Sequence, residues 1–108
     1  MIRENYTLMN GVEQNKKYPE SFSIPDEELK SLVSPGISCK LCFEPILSYK
    51  FAERMWVEVT KITKAGFEGE LTNQPVNLRL VPGDKVYFES KHILDIGIFN
   101  DEEDEEDD

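Results

Sequence analysis

The chain has 108 residues, of which 39% are hydrophobic, and a formal net charge of −10 at pH 7. This length suits one domain, because two halves would each be too small to enclose a stable core. No apolar run approaches the roughly 20 residues that span a membrane, and the N-terminus lacks the layout of a secretory signal, so we predict a cytoplasmic protein.

The first 19 residues have no regular hydrophobic period, although apolar residues such as Tyr6, Leu8 and Tyr18 are scattered through them. We predict that residues 1–19 form a loosely packed arm with one short helical or extended piece, which Phe22 anchors to the core. Residues 20–99 are then expected to form a single globular domain, and residues 100–108 a tail.

A short helix is predicted to open at Ser23, which would cap its N-terminus, with Asp26 at the acidic position of a capping box. Pro25 is tolerated in a first turn, and Pro35 with Gly36 ends the helix. Its apolar face would consist of Leu29, Leu32 and Val33. Because two turns are not stable alone, this helix is expected to pack on the sheet.

Residues 37–43 alternate between apolar and other side chains, which predicts a strand with Ile37, Cys39, Leu41 and Phe43 on one face. Cys39 and Cys42 form a C-x-x-C pair, which is half of a zinc site, and the sequence has no second Cys pair or His pair. Strand alternation places the two thiols on opposite faces. We therefore predict buried thiols and neither a metal nor a redox site.

The connection at residues 44–52 carries much apolar surface for a loop. Pro45 argues against a central strand there. The apolar members are Ile46, Leu47, Tyr49 and Phe51. This connection is expected to be either a flap over the core or an exposed contact patch.

The clearest strand prediction is residues 53–63, where β-branched and aromatic side chains alternate strictly. Met55, Val57 and Val59 fall on one side, and Trp56, Glu58, Thr60 and Ile62 fall on the other. Trp56 is expected either to pack in the core, beneath the helix or the 44–52 connection, or to mark an exposed recognition surface.

Three further strands are predicted at residues 67–72, 76–81 and 85–89, with short turns between them. A single 3₁₀ turn is expected at residues 90–92, followed by a last strand at residues 93–96. The predicted fold is therefore α+β: a small, strongly bent antiparallel sheet or SH3-like barrel of five or six strands, with one short N-terminal helix and a disordered acidic tail.

Two Pro-Gly pairs punctuate the chain, Pro35 with Gly36 and Pro82 with Gly83. Pro at the second and Gly at the third position fit a type II turn, because Gly takes the required positive φ without strain. Since each pair directly precedes a predicted strand, the sheet is expected to be assembled locally.

Residues able to carry catalysis are sparse. The single histidine, His92, has Ser90, Asp84 and Asp95 nearby in sequence, but no spacing marks a catalytic triad. The glycines are scattered and form no phosphate-binding loop. We predict a non-enzymatic protein without a cofactor, and keep as the alternative a small-ligand-binding or enzymatic barrel with a pocket near Trp56, Tyr87 and His92.

The last eight residues, 101–108, are all acidic, and without them 14 acidic residues face 12 basic ones. The rest of the chain is thus nearly neutral. A like-charge block of this length repels itself and is expected to be disordered. It serves either solubility or competition for a basic surface. Direct binding to nucleic acid is disfavoured because that requires a basic stripe; it would need clustering of Lys40, Arg54, Lys61, Arg79 and Lys85.

Several stretches together resemble a bacterial family of small domains with no assigned activity. The matching motifs are ERMWVEVT at residues 53–60, GxLxNxP at 69–75, GDxVxF at 83–88 and HIxDI at 92–96, together with residues 18–25 and 35–36. Gln74 stands where the family usually has Asp, and the acidic end is outside the pattern. The resemblance implies a small cytoplasmic domain of bacterial or phage origin and assigns no catalytic residue.

These observations favour a protein-binding module, most simply an inhibitor of the immunity or anti-defence type that occludes a partner surface. Its partner would be another protein with a basic surface, which the acidic end would occupy by mimicking nucleic acid; no membrane is involved. The candidate contact residues are Tyr49, Phe51, Trp56, Asp101, Glu102, Glu103, Asp104, Glu105 and Glu106.

Overall fold

Within residues 6–46, 51–76 and 78–98, which the computed structural model describes, six antiparallel strands form one curled sheet. The elements are β1 (Tyr6–Leu8), α1 (Gly11–Lys17), α2 (Glu27–Lys30), β2 (Ser38–Pro45), β3 (Glu53–Ile62), β4 (Phe67–Leu71), β5 (Lys85–Phe88), a 3₁₀ turn (Ser90–His92) and β6 (Asp95–Gly97). The spatial order is β1-β2-β3-β4-β5, and β6 pairs with the same edge of β2 as β1. The predicted α+β class and bent sheet of five or six strands are confirmed.

The core lies on one face of the curled sheet, which we call the inner face. It contains the alternate side chains predicted to share a face, Cys39, Leu41 and Phe43 from β2 and Met55, Val57 and Val59 from β3. Val33, Leu71, Leu78, Leu80, Val86, Phe88 and Ile93 complete this cluster. Burying these side chains supplies the main stabilisation of the domain.

Both Pro-Gly pairs form the predicted turns. Gly36 and Gly83 have φ values of 97° and 99°, which other residues adopt only with strain. In each turn the fourth residue donates its N–H to the carbonyl of the first: Ile37 to Ser34 at 3.0 Å, and Asp84 to Val81 at 3.1 Å. These turns deliver the chain into β2 and β5.

The predicted helix at residues 23–33 is wrong in its start and its apolar face. The observed helix α2 is a single turn capped by Asp26, whose Oδ1 accepts the Leu29 N–H at 3.0 Å. Pro25 disfavours helical backbone at the residue before it, so the helix starts after this proline. Leu29 and Leu32 are exposed, whereas Val33 and, unexpectedly, Lys30 are buried.

Lys30 is the unusual member of this helix. Its side chain is 2% exposed, and its Nζ lies 3.5 Å from Glu27 Oε2. Within the described residues this ammonium group makes no hydrogen bond. The aliphatic stem of a lysine packs like an apolar side chain, so α2 uses Lys30 where the sequence pattern predicted a leucine.

The predicted strand at residues 76–81 is also wrong. Leu78 and Leu80 are buried, as the alternation suggests, but the segment pairs with no neighbouring strand in the described chain. Backbone bonds between Leu71 and both Gly83 and Asp84 join the end of β4 directly to the approach to β5. The intervening segment therefore loops out and contributes side chains to the core without joining the sheet.

The N-terminal segment is more ordered than a loose arm. β1 pairs with the second half of β2, and α1 begins after Asn10, whose Oδ1 accepts the Glu13 N–H at 3.1 Å. The predicted 3₁₀ turn at residues 90–92 is confirmed, and the last strand, β6, starts two residues later than predicted.

No helix among the described residues has the length and apolar character to cross a membrane. The proposed boundaries after residues 19 and 99 stay predictions, and the tail lies outside the described residues.

The close approach of β3 and β4 depends on Gly69. A Cβ at this position would lie 2.5 Å from the Glu58 carbonyl oxygen and 2.7 Å from a methyl group of Val57. Immediately beyond this point the register shifts between Val59 and Lys61. The two strands thus meet at a point that has no room for a methyl group.

We expect Gly69→Ala to lower the free energy of unfolding by about 1–3 kcal/mol, because the backbone of two paired strands must separate. Urea unfolding followed by circular dichroism measures this. Glu70→Ala, at the exposed neighbouring position, serves as the control and should change stability by less than about 0.5 kcal/mol. A Gly69→Ala variant as stable as the control would contradict the close approach.

Candidate functional site

The outer face of the sheet, opposite the core, brings three chemically distinctive side chains together. Lys40 on β2 is paired with Trp56 on β3, and Arg54 lies two residues before Trp56 on the same side of β3. Such diagonal neighbours on adjacent strands are roughly 7–8 Å apart. Trp56 is half-buried on this face and is not in the core cluster, so it is neither the core residue nor the exposed aromatic side chain that the two predicted placements describe.

The backbone of Trp56 is held by the turn that follows β4. Its N–H donates to Asn73 Oδ1 at 2.6 Å. Its carbonyl accepts from the Thr72 N–H at 3.0 Å and the Thr72 hydroxyl at 3.1 Å. The asparagine side chain therefore takes the place of a ladder partner and ties the 72–76 turn to the middle of β3.

Each of the two cations lies against an aromatic ring. Lys40 Nζ is 5.2 Å from the centre of the Trp56 ring, and the Arg54 guanidinium is 5.6 Å from the centre of the Phe22 ring. Both distances are typical of cation–π contacts. Phe22 thus packs on the outer face, and the prediction that it anchors the N-terminal arm to the core is wrong.

The outer face contains a cleft of about 270 Å³ beside these cations. It is lined by Ser21, Phe22, Ser23, Lys40, Arg54, Leu94 and Asp95. We call this cleft the cationic cleft. Its lining includes the charged side chains of Lys40, Arg54 and Asp95 and the hydroxyl groups of Ser21 and Ser23.

A second feature, which we call the apolar rim, lies at the end of the sheet where β2 turns into β3. It consists of Ile46, Phe51 and Val76, which are 59%, 81% and 92% exposed. Glu53 Oε1 accepts the Val76 N–H at 2.8 Å, which holds Val76 at the start of β3, two residues after Phe51. Large apolar side chains this exposed at one end of a sheet are typical of contact surfaces.

The structure places the predicted contact residues unevenly. Phe51 is exposed on the apolar rim and Trp56 is on the adjoining outer face, as a contact role requires. Tyr49 and the acidic residues at 101–106 lie outside the described residues. Val76 was missed because it was assigned to a strand; its apolar character between Pro75 and Asn77 was the only signal available.

The pocket predicted near Trp56, Tyr87 and His92 is not a single site. Tyr87 and His92 line a cavity of about 190 Å³ with Thr63, Ala65, Gly66, Phe67, Phe88 and Glu89, and Trp56 is not among its lining residues. His92 Nδ1 accepts the Glu89 N–H at 3.0 Å, so this ring caps the 3₁₀ turn. This capping hydrogen bond gives His92 a structural role at its position.

A larger concavity, about 570 Å³, is an open groove between α2 and β6. Its lining is mostly apolar and comprises Ser23, Ile24, Pro25, Leu29, Leu94, Asp95, Ile96, Gly97 and Ile98. Leu29 is exposed because its side chain lines this open groove. The lining includes one charged side chain, Asp95.

The two cysteines are buried free thiols on opposite faces, as predicted. Burial raises the pKa of the Cys39 thiol to about 12. Burial also raises the pKa of Cys42, with Glu44 adding to this effect and Arg54 opposing it. Both thiols are therefore protonated and unreactive near neutral pH. Among the described side chains, no group of three potential metal ligands occurs.

Comparison of the chain with known protein families, with curated proteins and with solved structures finds no match. The resemblance to a bacterial family therefore stays a prediction. A functional assignment thus depends on the geometry of the outer face and the apolar rim.

Asn73→Ala should lower the free energy of unfolding by about 1 kcal/mol, because the Trp56 N–H loses its acceptor. Urea unfolding measures the loss, and a shifted Trp56 emission maximum reports the local change. Asn73→Asp, which keeps the oxygen, is expected to retain most of the stability. Equal losses in the two variants would show that the hydrogen bond is not what holds the turn.

Stability should fall as pH drops below about 6.5. Burial lowers the pKa of His92 below its usual 6.5; Lys91 adds to this shift and Glu89 opposes it. The unfolded chain therefore binds the proton first, and the stabilisation present above the unfolded pKa is lost as pH falls toward the folded pKa. Chemical denaturation between pH 7.5 and about 5, above the ordinary carboxylate range, tests this.

The matched control is His92→Gln, which does not titrate in this range. Its stability should vary less with pH than that of the parent chain. If the stability of the two proteins changed with pH in the same way, titrating groups other than His92 would cause the pH dependence.

Proposed function

We propose that this protein is a non-enzymatic protein-binding module whose contact surface is the apolar rim together with Trp56. The observation that carries the proposal is the exposure of Phe51 and Val76, the two most exposed large apolar side chains in the described chain, at one end of the sheet. Exposed apolar surface near a partly buried aromatic side chain is the usual composition of an interface hot spot.

Trp56 suits the centre of such a contact. Its backbone is fixed by Asn73 and Thr72, so little conformational freedom would be lost on binding. Its ring is contacted by Lys40 and retains partial exposure. The rim would supply apolar area and Trp56 a rigid, amphipathic anchor.

Inhibition by occlusion is the proposed mode of action. A small rigid domain bound through one end covers the partner's surface and requires no chemistry. The acidic residues at 101–108 would then lie against a basic region of the partner, in place of nucleic acid phosphates. Complementary charge mainly accelerates association, so this contribution should weaken with salt.

The second candidate function is ligand binding at the cavity beside Tyr87 and His92. Aromatic side chains and one histidine line it, which gives it the composition of a small binding site. Its volume of about 190 Å³ is below the roughly 300–1,000 Å³ usual for ligand pockets. A thermal-shift screen against metabolites and nucleotides tests this; a large specific shift abolished by Tyr87→Ala would favour it.

The main experiment compares proteins captured by the immobilised full chain and by rim variants. Phe51→Asp and Val76→Asp place a charge on the rim, and each should reduce capture of a specific partner by more than about tenfold. Both positions are exposed, so the folded state should tolerate them, which denaturation checks. Loss of capture with retained stability is the expected outcome.

Ile62→Asp is the matched control, because Ile62 is exposed at the far end of β3, about 30 Å from the rim. It should capture the partner as the parent chain does. If the rim variants and Ile62→Asp retain the same proteins, the rim is not the contact surface.

A further inference from the structure

The cationic cleft contains two positive side chains that form no ion pair within the described residues. Lys40 and Arg54 both line it, and within the described residues neither lies in ion-pair distance of a carboxylate. By contrast, Lys85 on the same face lies 3.4 Å from Glu68 Oε2. On the outer face, Lys85 thus has an ion-pair partner, whereas Lys40 and Arg54 have none among the described residues.

The rest of the cleft lining suits an anionic guest. Ser21 and Ser23 contribute hydroxyl groups, which donate to carboxylates as well as to other oxygens. Asp95 also lines the cleft and opposes an anion, but its Oδ1 accepts the Ile96 N–H at 2.9 Å. The lining therefore carries two positive charges against one negative charge.

The number of residues between β6 and the acidic stretch sets how far that stretch can reach. β6 runs antiparallel beside β2, with Asp95 opposite Lys40 and Gly97 opposite Ser38. Ser38 is two residues from Lys40, about 7 Å along the strand. The acidic stretch 101–108 begins four residues after Gly97, and four extended residues span up to about 14 Å. β6 leads away from Lys40, so the chain must turn back after Gly97 for the carboxylates to reach the cleft, and four residues are long enough for that return.

Charge complementarity favours this stretch over other anions. All eight of its residues are acidic, whereas the remainder of the chain is nearly neutral. Tethering gives a short segment an effective concentration in the millimolar range. Even weak pairing with two cations is then sufficient for occupancy.

We propose that the acidic stretch 101–108 binds the cationic cleft of its own chain, with its carboxylates paired to Lys40 and Arg54 beside Trp56. This contact does not depend on the proposed function of the apolar rim. A partner with a basic surface would compete for the same carboxylates, so binding of that partner would open the cleft.

The test uses a synthetic peptide with the sequence of residues 99–108 and two full-length proteins. One is the parent chain; in the other, every Asp and Glu at 101–108 is replaced by Asn or Gln. Calorimetry at about 20 mM salt should show that the neutralised chain binds the peptide at least tenfold more tightly than the parent, whose cleft is already occupied. The affinity should fall by roughly tenfold at about 200 mM salt.

Two double variants of the neutralised chain locate the site. Lys40→Gln with Arg54→Gln should abolish peptide binding, whereas Lys61→Gln with Lys64→Gln removes the same charge near the far end of β3 and should leave binding almost unchanged. A change in Trp56 fluorescence on binding, from the only tryptophan in the chain, reports occupancy beside Lys40.

Three results would overturn the proposal: no binding to the neutralised chain, equal affinity for the parent and neutralised chains, or equal weakening by both double variants. The rim variants are not involved in this experiment. Its failure would therefore leave the proposed contact surface untouched, and failure of the rim experiment would leave this proposal untouched.

Discussion

The pairing of β2 with β3 is the interaction on which the rest of the domain depends. β2 is bonded to β3 along one edge and to both β1 and β6 along the other, so four of the six described strands meet there. The inner face of this pair supplies six of the core residues, and its outer face supplies Lys40, Arg54 and Trp56. Core and candidate site are thus the two sides of one ladder, and a one-residue slip in register would exchange them.

This arrangement ties part of the candidate site to the central strands although much of the site is exposed. Lys40 and Trp56 are directly opposed in the ladder, and the turn at 72–76 is tied to both Trp56 and Glu53. Lys40, Arg54 and Trp56 are therefore positioned by backbone bonds of the central strands, whereas Ile46, Phe51 and Val76 lie just outside them. Surfaces on such supports lose little entropy when they bind.

Strand patterning made much of this fold predictable. Strict alternation in β3 correctly separated Met55, Val57 and Val59 from Trp56, and the Pro-Gly pairs correctly located two turns. The pattern failed where burial and pairing diverge: Leu78 and Leu80 alternate like a strand but fill the core from a loop. α1 was predicted only as a short helical or extended piece somewhere in residues 1–19, because its seven residues are mostly polar and its cap, Asn10, gives only a local signal.

The candidate site was predictable only in part, because it depends on register. Phe51 and Trp56 are conspicuous in the sequence, but the proximity of Val76 results from a long-range bond to Glu53. Likewise, Lys40 and Arg54 are 14 positions apart in the chain and become neighbours only through the β2–β3 ladder. The register between distant strands is set by how their side chains pack against the whole core. A local sequence pattern does not contain this information.

The buried lysine of α2 has a consequence for the chemical reactivity of the domain. Lys30 has a side chain that is 2% exposed, whereas those of Lys85 and Lys91 are 62% and 49% exposed. Acylating reagents would reach the exposed amines directly, but they would reach Lys30 only after α2 detaches. The rate at which that one amine is acetylated therefore measures how often this single helical turn opens while the sheet stays intact.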